Sequence, residues 1–208
     1  MKAAVISLAI FSFFGLLGPA AASAQRRDYM TDQEIEIVRE AQDVDARIDV
    51  LTKMIDRRFA VLGIDVHGWK QAAKESDVWG PLPEGSKSDL FSDIKRLLQK
   101  AIDDIDNLAE HPNAAPIRDL KDKEDAKLAK DDPHRFPRAV KNLAKAAERY
   151  EPVLKTVLDA TKDGKDKGAI FDAIDSCDQI LAAVGKLPAD AKPDAKPDSK
   201  NGGKKPKT

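Results

Sequence analysis

Asp103, Asp106 and Glu110 recur at intervals of three and four residues, a spacing that brings three carboxylates to one side of a helix and offers an acid pair for proton transfer. They lie opposite Leu98, Ala101, Ile102 and Ile105, so the expected setting is a solvated acidic stripe rather than a dry catalytic cleft. Cys177, the single cysteine, would need an electropositive and partly open setting to act as a nucleophile. It keeps step with Ile174 and Leu181 instead, which predicts a small buried thiol. One cysteine also excludes an intramolecular disulfide and the Cys-x-x-Cys-His attachment of a c-type haem.

Ligation chemistry is equally sparse. A di-iron site between helices needs Glu-x-x-His pairs, whereas Glu110 directly precedes His111 and Asp132 stands two before His134. Met54 falls on an apolar stripe and reads as core filler rather than a haem ligand. Asp159-Ala-Thr-Lys-Asp163-Gly164 matches the opening of an EF-hand loop, yet the twelfth position is Ile170 where a bidentate glutamate would close the site. A turn with Gly164 as the C-cap of the preceding helix is the expectation. The chain has no Gly-x-Ser-x-Gly, no phosphate loop and no His-Glu-x-x-His. No metal and no cofactor is expected.

The residues with the strongest claim on a partner are Trp69 and Trp79, with His67 beside them. Both tryptophans fall in residues 63–85, the least regular stretch before the tail, where glycines and two prolines cannot continue a helix. Tryptophan is enriched in binding hot spots, and a connection this long is either a packed cap or a binding loop. As a cap, Trp69, Trp79 and Leu82 would anchor the segment over the helix ends. A short helix over 66–74 is expected inside it.

The elements that would position these residues are helices. Residues 31–62 read as one long amphipathic helix with Ile37, Ala41, Val44, Ile48, Leu51, Ile55 and Leu62 on one stripe, Phe59 filling the gap, a Thr31/Glu34 capping box and a stop at Gly63. A second runs over 88–110, with Ser86 or Ser88 as N-cap, and ends at His111-Pro112. Residues 113–132 are mostly charged and suggest a short solvated helix. A third helix opens around Pro133, Phe136 and Pro137 and runs to about Lys162, with Pro152 in its interior; a fourth covers 167–184. Low aromatic content, with 34% charged residues and apolar residues at helical spacing, points the same way. The predicted fold is all-α: a bundle of four long helices, a Trp-containing crossover loop and a disordered C-terminal tail.

The ends complete the plan. Residues 1–24 have Lys2, an apolar run and Ala22-Ser23-Ala24, the layout of a secretory signal peptide cleaved before Gln25. Residues 25–186 form the helical domain, and 187–208, with Ala-Lys-Pro-Asp twice, form a Lys/Pro-rich tail that cannot bury enough apolar surface to order itself. Without Lys2 the net charge is −2, divided as +4 from Lys186 onward and −6 before it. An acidic folded part argues against nucleic acid as the main partner. No segment after the signal could span a bilayer. The expectation by elimination is an exported, periplasmic or secreted, non-enzymatic protein that binds another protein or an envelope polymer. The alternative is a helical bundle carrying a small ligand or cofactor; an enzyme would need acids, bases or nucleophiles converging in a cleft.

Overall fold

Thr31 opens the first helix by the expected device. Its hydroxyl accepts from the Glu34 amide at 3.2 Å, and the Glu34 carboxylate accepts from the Thr31 amide at 3.0 Å. The computed structural model describes residues 27–111 and 134–187; the signal, the charged stretch 113–132 and the tail from 188 onward lie outside the described residues. Among the described residues every regular element is a helix: α1 (Asp32–Glu40), α2 (Val44–Val61), a 3-10 turn (Ala73–Glu75), α3 (Ser76–Trp79), α4 (Lys87–Glu110), α5 (Arg135–Ala160) and α6 (Gly164–Val184).

The long helix expected over 31–62 is in fact two. It breaks at residues 41–43, where Ala41 and Asp43 leave helical geometry and Arg47 bridges the gap, its Nε donating to the Ala41 carbonyl at 2.9 Å. The break is what lets α1 fold back along α2. In one continuous helix Glu34 and Arg57 would stand about 35 Å apart at 1.5 Å per residue; here they share a salt bridge of 2.9 Å. At the other end α2 closes as predicted. Gly63 takes φ +70°, Gly63 N–H donates to Ala60 and Ile64 N–H to Phe59, a paired closure that satisfies two terminal carbonyls.

Two smaller corrections follow from local chemistry, and one alternative is decided. No helix forms over 66–72; a 3-10 turn begins only at Ala73, the segment's one turn of α-helix follows in α3, and Gly80 at φ +65° ends it. Ser86, rather than Ser88, caps α4, exchanging bonds with Asp89. Gly164 opens α6 rather than closing α5, because Asp163 supplies the N-cap through its carboxylate to Lys165 N–H at 2.7 Å. Pro152 does lie inside α5, as expected.

Four helices share one core. α4 and α5 each pack closely on both α2 and α6, while the backbones of α2 and α6 make no such close approach. Ile48, Leu51, Met54, Ile55 and Phe59 of α2, Phe91, Ile94, Leu97 and Leu98 of α4, Leu143, Ala147, Tyr150 and Leu154 of α5, and Ile170, Ala173 and Cys177 of α6 are all buried. Met54 is therefore core, as its place on the stripe implied.

Candidate functional site

Residues 54–59 of α2 are buried without exception, and three of them carry charge: Asp56, Arg57 and Arg58. Charges in the interior persist only when paired and hydrogen-bonded, and these three organise two networks that hold the tryptophan segment and the N-terminal segment in place.

The first network centres on Asp56. Its Oδ2 accepts the Trp69 backbone N–H at 2.7 Å, and its Oδ1 accepts the Tyr150 hydroxyl at 2.7 Å, with Arg149 at 3.6 Å. Arg149 also donates to the Val66 carbonyl at 3.3 Å. Burial pushes the Asp56 carboxyl above the usual carboxylate range, against the opposing pull of Tyr150, the Trp69 amide and Arg149. The segment approaches this carboxylate so closely that a Cβ on Gly68 would overlap Asp56 and Arg149. His67, just before it, takes φ +51° and leaves its ring in solvent.

The second network centres on Glu34. Arg57 donates to Glu34 Oε1 at 2.9 Å and to the Pro81 carbonyl; Arg58 binds both Glu34 oxygens, the Met54 carbonyl at 3.0 Å and the Tyr29 carbonyl at 2.6 Å. All three side chains are at most 1% exposed. Asp93 extends the cluster: its Oδ2 lies 3.8 Å from Arg58 Nε and accepts from Arg27 at 2.6 Å, while Arg27 also donates to the Glu84 carbonyl at 2.8 Å. Burial raises the Asp93 carboxyl as well, with Arg27, Arg58 and Arg96 opposing. Arg57 Nε, Arg58 Nε and Gln71 Oε1 are buried without a hydrogen-bond partner.

The two tryptophans meet between these networks, ring centroids 5.0 Å apart at 44°. They are not equivalent. Trp79 is 7% exposed, belongs to the core and lies 5.5 Å from the Arg57 guanidinium; Trp69 is half-buried, with Lys53 5.9 Å over its ring. Val78 and Leu82 on the same segment are exposed. The structure thus brings Trp69 and Trp79 together and leaves His67 outside the pair.

The remaining chemical candidates fall as their patterns implied. Asp103, Asp106 and Glu110 are exposed on α4. Cys177 is fully buried, and burial pushes its thiol up to about 12. Among the described residues no three His, Cys, Asp or Glu side chains group as metal ligands, and no helix is long and apolar enough to cross a membrane. Sequence reasoning missed Asp56, Arg57, Arg58 and Asp93 and saw Glu34 only as a cap. Compared with protein-family models, with curated proteins and with solved structures, the chain matches none.

Proposed function

We propose that this chain is an exported helical protein that acts by binding another protein or an envelope polymer, and that the face presented by Trp69 makes the contact. In this reading α2, α4, α5 and α6 form a four-helix bundle, and residues 63–85 are a crossover whose inner tryptophan anchors it and whose outer tryptophan serves the partner. The observation that carries the reading is the asymmetry of the pair: Trp69 is only partly buried where Trp79 is core, on a segment that also exposes Val78 and Leu82, while its backbone is fixed by Asp56. A large aromatic held rigid before contact loses little entropy on binding, which is why such residues dominate interface energetics. Export rests on the residue pattern of positions 1–24.

The test separates the two rings. The mature protein is purified gently from its host, and co-purifying macromolecules are identified for wild type, Trp69→Ala and Trp79→Ala. Trp69→Ala is expected to keep most of its stability and lose the partner, whereas Trp79→Ala loses about 3 to 5 kcal/mol, the range for a buried aromatic. A Trp69→Ala protein that retains every partner of the wild type overturns the assignment.

A further inference from the structure

The outward face of α4 carries an open cleft of about 410 Å³, lined by Arg27, Asp89, Ser92, Asp93 and Arg96. A second depression, lined by Tyr29, Arg96, Gln99, Lys100 and Asp103, adjoins it. Arg96 lines both. The charges bearing on the first cleft come from four elements: Arg27 of the N-terminal segment, Arg58 of α2, Arg96 of α4 and Lys165 of α6, against Asp89 and Asp93 of α4. Behind the cleft the buried Arg57, Arg58 and Glu34 leave one net positive charge, while Asp28, Asp103 and Asp104 act on the Tyr29 ring beneath Arg96.

Two donors on this face are left over. Asp93 is committed to Arg27 and Arg58, and Asp89 to the cap of α4 through Ser86. Arg96, by contrast, donates no hydrogen bond and closes no salt bridge among the described residues; its guanidinium lies 4.1 Å over the Tyr29 ring. That ring contact restricts the side chain and leaves its N–H edge for an acceptor. Ser92 sits one helical turn before Arg96 on the same face, and its hydroxyl also has no partner among the described residues. Lys100 and Gln99, further along, are taken by Asp104 and Asp103.

We propose that this cleft is an oxyanion site, in which Arg96 and Ser92 take the carboxylate or phosphate group of a small polar ligand while Arg27 and Lys165 supply the surrounding positive field. A guanidinium edge with a hydroxyl beside it offers three donors to two oxygens, the geometry that planar oxyanions accept. The site does not depend on the role given to Trp69.

The experiment is a titration of the full chain, labelled with 15N, at constant ionic strength with glucuronate, inorganic phosphate, glucose and chloride. The Arg96 Nε–H and Ser92 amide signals are expected to shift saturably with glucuronate, with phosphate, or with both, at a dissociation constant of about 1 mM. Saturation by glucuronate alone assigns a carboxylate, and by phosphate alone a phosphate. Arg96→Gln is expected to weaken binding at least about tenfold at unchanged melting temperature, Asp89→Asn to tighten it by removing a rim charge, and Trp69→Ala to leave it unaltered. Shifts that grow linearly with every salt including chloride, or that saturate equally in Arg96→Gln, overturn the proposal.

Discussion

Glu34→Gln keeps the shape of the side chain and removes the one charge that faces both Arg57 and Arg58. In the wild type those guanidinium groups are at most 1% exposed, so water cannot replace the lost counterion. The next carboxylate, Asp93, lies 3.8 Å from Arg58 Nε and already binds Arg27 at 2.6 Å. Breaking a buried pair on one side costs about 3 to 5 kcal/mol, since the partner charge stays desolvated. The weakened capping box of α1 adds to this, although the two losses overlap because one carboxylate makes both sets of bonds. For a domain of this size the melting temperature should fall by about 10 to 20 °C. Urea unfolding followed by tryptophan fluorescence and by circular dichroism gives the free energy directly, and Trp79 beside Arg57 makes fluorescence sensitive to the site. Glu36→Gln is the matched control: that residue pairs with Arg39 at 2.6 Å but is exposed, so its loss should stay within about 1 kcal/mol. A Glu34→Gln protein within about 1 kcal/mol of wild type would refute the argument that this cluster is sealed from water.

Three further outcomes are expected. Gly68→Ala forces a methyl into Asp56 and Arg149 and should cost about 1 to 3 kcal/mol, with a blue-to-red change in tryptophan emission as the segment lifts; a variant as stable as wild type would show that the segment shifts freely. Cys177, buried and with its thiol at about 12, should react slowly with thiol reagents in the native state and fast in denaturant, and rapid native labelling would contradict its place in the core. For Asp93 the sign runs against the usual carboxylate. Its folded pKa lies above the ordinary 3.8, so the stability it contributes is full below that value and is lost as pH rises through the raised one. The stability difference between wild type and Asp93→Asn should therefore move in favour of wild type on acidification from neutral pH, and an opposite slope in urea unfolding would reject the burial argument.

The helices were legible because their signals are local. Thr31 with Glu34, Ser86 with Asp89 and Gly63 each mark a terminus through bonds made within three or four residues, and the apolar stripes of α4, α5 and α6 repeat with the helical period. The break at residues 41–43 was not legible for the same reason. No proline or glycine marks it, Ala41 and Val44 continue the stripe, and the bonds that hold it open come from Arg47, whose helical position alone does not single it out. What favours the break is a contact with residues more than twenty positions away, the Glu34 pair with Arg57 and Arg58, which a period of 3.6 cannot encode.

The buried charges of α2 could nonetheless have been anticipated from the backbone of the segment that covers them. Residues 63–85 form only a 3-10 turn and one short helix, so most of their carbonyls lack a helical partner, and a carbonyl taken out of water must find a donor. Two prolines reduce the supply of N–H groups within the segment itself. The donors that meet these carbonyls are arginines and a glutamine: Arg149 at Val66, Gln71 at Gly80, Arg57 at Pro81 and Arg27 at Glu84, with Arg58 serving Tyr29 of the N-terminal segment. Arginine suits the task because it always carries donors and spreads its charge over a plane that packs against aromatic rings, as Arg57 does against Trp79. Each buried guanidinium then requires a carboxylate, which places Glu34 and Asp93 inside. The charged run Asp56-Arg57-Arg58 is thus the counterpart of the Gly- and Pro-rich stretch that follows it. An irregular segment pressed onto a helix calls for charge on the helix face beneath it, and the networks that satisfy that demand also hold Trp69 at the edge of the core, only partly buried.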